Sequence, residues 1–479
     1  MVQTIDLNAA LMKYFGYQHF KPGQKEILEA LLAQKNVLGI LPTGVGKSLC
    51  YQLYGYLVKK TVVIVSPLIS LMQDQVANLY LRGEKKAIAL NSNLTFAQRR
   101  EILAKLKFFR FIYVSPELLK NPAVLAALQK LDLGLFVVDE AHCISTWGPD
   151  FRPDYLDLGK IRQRLANPLT LALTATATLK VEMQIKQILF FDAQTKVVRF
   201  AVNRANIFLD VEEVSDEAQK NARLLELTTN LQGPGLIYFS SKKKAEEINQ
   251  LILQKSDLKS AVYHAGMANE DRFAVLEQFL RDELDIICAT SAFGMGINKQ
   301  NIRYIIHYHL PSSLEDYVQE YGRCSRDGQK GAAIILYQDS DLDLQKYLLE
   351  KTFPKLQEIA YFFKQNKVLR QILQENPPFD LLARYQQLGF TQAQVERLIK
   401  ERLVERKQAL DEIKSYLGSN CLRKKIAQYF GDQLPEQANC CSPQNETVSL
   451  SQLGQKKVAL AKRATFEDYQ SVLKKLFNQ

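Results

Sequence analysis

A chain of 479 residues exceeds what one hydrophobic core usually organises, so two to four domains are expected. Its 47% hydrophobic and 24% charged content is that of a globular protein; no apolar run approaches the roughly 18 residues of a membrane span, and Met1–Ala10 has no basic stretch leading into an apolar one, so neither a membrane helix nor a secretory leader is expected. The formal net charge is +11, and from Gln345 onward 22 Lys and Arg stand against 14 Asp and Glu, a surplus that suits a phosphate polyanion as well as a solubilising surface.

In chain order, two stretches alternate short apolar strands with longer amphipathic segments. The first has strand candidates at Val37–Leu41, Thr61–Ser66, Phe111–Val114, Leu135–Val138 and Leu169–Leu173. The second has them at Leu236–Phe239, Ala261–Tyr263, Asp285–Ala289, Tyr304–Ile306 and Ala333–Tyr337. These runs are apolar without strict alternation, as expected when helices cover both faces of a parallel sheet. The pattern predicts an α/β fold of two stacked lobes, residues 1–205 and 206–345, with a seam near Phe200 to Val214. After about Gln345 the periodicity turns helical, giving a mainly helical region over 346–479. Within it Phe379–Leu388, a turn at Gly389-Phe390-Thr391, and Gln392–Lys407 read as a helix-turn-helix element or as two packed structural helices, with the packed pair preferred. Asn439 to Gln455 reads as a loop, and Lys456 to Phe477 as a basic helix. The seven cysteines are scattered, as expected of a reduced, cytoplasmic protein.

Three motifs carry chemistry. Leu41-Pro42-Thr43-Gly44-Val45-Gly46-Lys47-Ser48 follows a strand and opens a helix. Glycines there let backbone N–H groups curl around phosphate oxygens, and a helix N-terminus favours negative charge. Thr43, Gly44 and Gly46 would cradle the nucleotide, Lys47 would reach the β- and γ-phosphates, and Ser48 would bind Mg²⁺. Asp139-Glu140-Ala141-His142 directly follows the apolar strand Leu135–Val138. Asp139 would hold Mg²⁺ opposite the phosphate loop, and Glu140 would polarise the attacking water. In the second lobe Arg323 and Arg326, three apart, would stabilise charge on the γ-phosphate if that face closes on the nucleotide; a surface pairing with Asp327 is the plain alternative. Catalytic parts on separate lobes imply that ATP joins the lobes and hydrolysis releases them.

Residues 12–345 resemble the RecQ family of DNA helicases. Phe15-Gly16-Tyr17-Gln18-His19-Phe20-Lys21-Pro22-Gly23-Gln24 looks like the family's opening motif. Tyr17, Lys21 and Gln24 then join the nucleotide site, Gln24 reading the adenine edge. Ser66 to Val76 is similar to the strand-contacting motif. Leu173-Thr174-Ala175-Thr176-Ala177-Thr178 resembles the segment that couples hydrolysis to movement, through Thr174 and Thr176. Cys143 to Tyr155 and Ala289 to Lys299 are specific to the family. The former looks like its aromatic-rich loop, in which Trp147 and Phe151 would stack on bases and Arg152 would meet phosphate. The resemblance implies two tandem RecA-like lobes, a need for ATP and Mg²⁺, and 3′ to 5′ unwinding of DNA in recombination and repair by a monomeric enzyme acting on single-stranded, tailed or forked DNA. An RNA helicase, or a DNA-stimulated ATPase with weak or lost unwinding, is the alternative.

The chain departs from the family at Thr146 and Pro149, where Gln and His are usual, and at Cys324-Ser325, where Ala-Gly is usual. It departs further in the zinc module. Cys421 precedes Tyr429-Phe430-Gly431-Asp432, which resembles that module's helix, but only the adjacent Cys440 and Cys441 follow. A structural zinc site wants four tetrahedral ligands. The expectation is therefore that the module's helices persist without zinc, with a weak three-cysteine site completed by an acidic fourth ligand as the minority reading.

Overall fold

The computed structural model describes residues 5–145, 153–294, 299–365, 379–387, 389–433 and 440–442. Its first sheet is built from β1 (Val37–Ile40), β2 (Thr61–Val65), β3 (Ala87–Leu90), β4 (Phe111–Val114), β5 (Leu133–Val138), β6 (Thr170–Thr174) and β7 (Lys196–Arg199). The second is built from β8 (Ile207–Glu213), β9 (Gly235–Tyr238), β10 (Ser260–Tyr263), β11 (Ile286–Ala289), β12 (Tyr304–His307) and β13 (Gly331–Tyr337). Every strand pair in both sheets is parallel. The orders are β3-β4-β2-β5-β6-β1-β7 and β10-β11-β9-β12-β13-β8. Two tandem parallel-sheet lobes of the RecA-like kind, followed by helices, make up the chain.

The strand residues alternate between two cores, as the pleat demands. In the first lobe Leu38, Val63, Val65, Phe136 and Val138 face one helical layer, and Val37, Val62, Ile64, Leu135 and Val137 face the other. In the second, Leu236, Ile287, Ile305 and Ala333 face one layer, and Ile237, Ile286, Ile306 and Ile334 the other. Burial on both faces explains why the ten strand candidates read as unbroken apolar runs. Three strands fall outside those candidates. β3 and β7 are edge strands with partly exposed residues, and β8, also at an edge, carries Asp210, Glu212 and Glu213. β7 ends at Arg199 and β8 begins at Ile207, so the segment between the sheets is short.

Beyond the second sheet come helices Ser340–Thr352, Leu356–Lys364, Phe379–Gln387, Gln392–Leu417 and Leu422–Phe430. Gly389 turns the chain at φ +83°, and Thr391 caps the next helix in a reciprocal capping box with Gln394. Phe353, Ile359, Phe362, Leu382, Tyr385, Val395 and Ile399 share one small core, the packed-pair arrangement. The helix from Gln392 runs ten residues past Lys407 because Leu410, Ile413 and Tyr416 continue its buried stripe. Ile413 and Tyr416, with Leu422, Ile426 and Phe430, close one face of the second lobe. These helices also reach the first lobe: Arg402 Nη1 donates to the Ser145 carbonyl (2.7 Å), and Lys180 pairs with Glu405 (2.6 Å). Among the described residues no helix is long and apolar enough to cross a membrane. The loop expected from Asn439 and the helix expected from Lys456 lie largely or wholly outside the described residues.

Candidate active site between the lobes

β1, β5 and β6 are neighbours, so the segments leaving their carboxyl ends share one edge of the first sheet, the side where open α/β sheets bind ligands. From β1 the chain passes through Gly44 and Gly46, at φ +81° and +83°, into helix Lys47–Val58. Left-handed backbone at both positions explains the glycines. The loop's carbonyls are held from outside: Gln24 Nε2 donates to Val45 O (2.8 Å) and Gly46 O (3.1 Å), and Lys21 Nζ donates to Gly44 O (3.0 Å). Gln24 Oε1 accepts from Lys21 N–H at 2.9 Å. The Gln24 amide, expected at an adenine edge, here braces the phosphate loop. Tyr17 of the same motif is exposed.

At the end of β5, Asp139 is buried and its burial, with the nearby Glu140 charge, pushes its carboxyl up to about 7 against the pull of Lys47. Glu140 sits at φ +47°, a strained conformation for a residue with a side chain. Its Oε2 is buried without a hydrogen-bond partner, and the nearest ring nitrogen is His142 Nδ1 at 3.4 Å. Burial works to raise the Glu140 carboxyl, but Lys47, His142, Arg323 and Arg326 outweigh it and hold it below the usual range. His142 is itself pushed down by burial, against the pull of Glu140. Its Nδ1 lies 3.0 Å from Thr174 Oγ1, which donates to Thr176 O (3.1 Å). The acidic motif is thereby wired to the segment after β6.

The second lobe closes on this edge. Thr43 Oγ1 donates to Gly322 O (3.0 Å), and a Cβ on Gly322 would lie 2.0 Å from Thr43 Oγ1. Only glycine allows that approach. Helix Leu314–Tyr321 ends just before it and delivers Arg323, buried, with Nη1 donating to Gly294 O at 2.5 Å. Arg326 packs over the phosphate loop: a Cβ on Gly44 would meet its Cγ at 3.1 Å. Burial, then Arg323 and Arg204, push the Arg326 guanidinium down to about 9. Asp327 pairs with Arg303. Five cations, Lys21, Lys47, Arg204, Arg323 and Arg326, thus gather near Glu140 and the glycine loop, a concentration of like charge that a triphosphate would neutralise.

The spacing of residue types did not single out Arg204, which lies in the seam between the arrays. Its Nη1 donates to Thr43 O (3.2 Å) and Gly322 O (3.0 Å), and its Nη2 to Cys324 O (3.0 Å) and Ser325 O (2.8 Å). No local motif marks it; only lobe closure does. Thr146, Trp147, Pro149, Phe151 and Arg152 lie outside the described residues, as do Met295 to Asn298.

The cysteines behave differently from what their spacing suggested. The Sγ atoms of Cys421, Cys440 and Cys441 stand 3.6–3.9 Å apart. Zinc–thiolate bonds of ~2.3 Å at tetrahedral angles require sulfurs about 3.8 Å apart. Adjacent residues share the centre because Cys441 bridges to Leu209 of β8 and Ser442 N–H donates to Leu209 O (3.1 Å), turning the backbone between the two thiols. Among the described residues the group holds three ligands.

A profile of the DEAD/DEAH box helicases matches residues 21–185, and the helicase conserved C-terminal domain matches residues 219–328. The chain is 39% identical over 490 aligned positions to the probable ATP-dependent DNA helicase RecS of Bacillus subtilis, covering 98% of each. It is 36% identical to the ATP-dependent DNA helicase RecQ of the same organism, over 71% of this chain and 58% of that one. Solved structures share the fold: Mycobacterium smegmatis helicase Lhr bound to single-stranded DNA and AMP-PNP (TM-score 0.58, 20% identity, 72% of this chain and 49% of that chain) is one. Saccharomyces cerevisiae Dbp5 bound to RNA and ADP BeF3 (TM-score 0.56, 17% identity, 71% and 90%) is another.

Proposed function

Because this chain belongs to the RecQ-like ATP-dependent DNA helicases, we propose that it burns ATP between lobes 1–205 and 206–345 to travel 3′ to 5′ along DNA and part its strands in recombination and repair. The observation that carries this reading is the meeting of Lys47, Glu140, Arg323 and Arg326 at one inter-lobe cleft, with a Glu140 oxygen left without a hydrogen-bond partner.

Lys47 binds the β- and γ-phosphates, with Thr43, Gly44 and Gly46 presenting the backbone and Tyr17, Lys21 and Gln24 bracing the nucleotide side of the loop. Ser48 and Asp139 are hard oxygen donors that fit Mg²⁺, which when bound neutralises phosphate charge. Glu140, kept ionised by the cations around it, orients the attacking water and receives its proton. Arg323 and Arg326 stabilise charge developing on the γ-phosphoryl oxygens. The contact from His142 to Thr174, and on to Thr176, carries the state of the acidic motif to the DNA-facing segment. Trp147, Phe151 and Arg152 sense the single strand. In region 346–479, helices Gln392–Leu417 and Leu422–Phe430 brace the lobes of a chain working as a cytoplasmic monomer. The same reading puts zinc on Cys421, Cys440 and Cys441, where it would tie the start of helix Leu422–Phe430 to β8.

The test pairs ATP hydrolysis, alone and with single-stranded DNA or RNA, with unwinding of 3′-tailed and 5′-tailed duplexes. DNA-stimulated hydrolysis and unwinding of the 3′-tailed duplex are expected. Stimulation by RNA alone would replace the DNA assignment, and unwinding of the 5′-tailed duplex alone would reverse the polarity. DNA-stimulated hydrolysis without unwinding would reduce the protein to a DNA-dependent ATPase.

A further inference from the structure

Building on the ATPase assignment, we infer that Arg204, on the segment joining the lobes, is a positioning residue for hydrolysis: it sets the turn that carries Arg323 and Arg326 against the phosphate loop. Its two terminal nitrogens donate to Gly322 O and Cys324 O, which flank Arg323, and to Ser325 O, which precedes Arg326. Nη1 also donates to Thr43 O of the phosphate loop (3.2 Å). One guanidinium therefore touches both lobes and the backbone on either side of Arg323, and the bonds to Thr43 and Gly322 coexist only when the lobes are closed. Asn206 reinforces the same turn, its Nδ2 donating to Ser325 O (3.0 Å) and Gln329 O (2.8 Å).

The segment that carries Arg204 is itself clamped. Arg423 of helix Leu422–Phe430 donates to Asn203 Oδ1, to Arg204 O (3.1 Å) and to Ile207 O, and Asp432 accepts from Val202 N–H (2.8 Å). A clamped backbone makes the Arg204 side chain a strut of set length. Only a planar fork with several donors serves carbonyls in two directions, so lysine, a single point charge, does not replace it. The choice of residue is costly for stability alone. Arg204 lies beside Arg326 and adds to the charge that depresses both Arg326 and Lys21, and no hydrogen bond to a carboxylate compensates it among the described contacts. Such crowding is favourable when a polyanion enters, which is when the turn must be in place.

The experiment uses the full chain with Arg204→Lys, and Asn206→Ala as a second variant. It reads DNA-stimulated kcat and KM for ATP, the Kd of a non-hydrolysable ATP analogue, the Kd of ADP–aluminium fluoride, and Tm. Displaced arginines remove charge stabilisation from the transition state only, so kcat should fall on the order of 10²-fold in Arg204→Lys, with ADP–aluminium fluoride affinity falling in parallel and analogue affinity changing less than about twofold. Asn206→Ala should show the same pattern more weakly, and it carries the test if Arg204→Lys does not fold. Parental kcat in a folded Arg204→Lys, or in Asn206→Ala should that be the only folded variant, would overturn the inference. So would losses of kcat, analogue affinity and Tm that keep step with one another. A parental protein without DNA-stimulated hydrolysis, or a Lys47→Ala variant that retains it, would instead remove the ATPase assignment beneath it.

Discussion

Glu140 carries two costs at once: left-handed backbone at φ +47° and a buried carboxylate oxygen with no hydrogen-bond partner. Neither helps the fold, and both are expected where a group is kept ready for a reacting molecule. Glu140→Gln keeps the shape and removes the base. Its kcat for ATP should fall by about 10²–10⁴-fold while ATP binding persists, measured by steady-state hydrolysis beside fluorescent-nucleotide titration. The same variant should melt lower than the parent at neutral pH, because it withdraws the negative charge that Lys47, Arg323 and Arg326 surround; an unchanged Tm would show that those cations are compensated elsewhere. Residue type and spacing made Lys47, Asp139, Glu140, Arg323 and Arg326 legible, since each motif's chemistry is local. The role at an adenine edge came to Gln24 through resemblance; that its amide braces Val45 and Gly46 was not legible from residue type, because an amide donates equally well to a base or a backbone.

Between elements, helix Glu217–Asn230 meets helix Ser340–Thr352 through an ion pair, Lys220 Nζ to Asp341 at 2.6 Å, with both side chains almost fully buried. Burial lowers the Lys220 ammonium and raises the Asp341 carboxyl, so each ion depends on the other. Asp341→Asn strands the lysine and should cost ~3–5 kcal/mol in denaturant unfolding, while Lys220→Met with Asp341→Leu should recover most of that. A single variant within ~0.5 kcal/mol of the parent would mean that the lysine finds water. Most strands declare themselves by apolar runs, whereas β7 and β8, at edges, mix in charged residues, and β3 is an apolar Ala-Ile-Ala-Leu edge strand whose middle two residues are partly exposed. The helix after Thr391 outran its expected end because Ile413 and Tyr416 bury against the second lobe, a partner far away in sequence.

At the scale of the whole molecule, the C-terminal helices tie together what the ATP cycle would move. Arg402 bonds Ser145, Arg199 donates to Phe430 O (3.3 Å), and Arg423 clamps the segment between the sheets. The thiols of Cys421, Cys440 and Cys441 gather in the same region. Elemental analysis of protein purified without added metal should return close to one zinc per chain, and Cys441→Ser should lose the metal with a lower Tm. Metal-free wild-type protein with an unchanged Tm on chelation would return the module to apolar packing alone.

The two parallel-sheet lobes, the phosphate loop, the acidic motif and the arginine pair can be read along the chain. Apolar periodicity and the residue types that chemistry demands at fixed spacing are local properties of a chain. Tertiary structure alone decided that Arg204 spans both lobes, that Gln24 turns to the loop, and that two adjacent cysteines and a third meet at tetrahedral spacing. These depend on carbonyls and sulfurs from distant segments. Hydrogen bonds and metal ligands are selected by distance in space, which no spacing along the chain encodes.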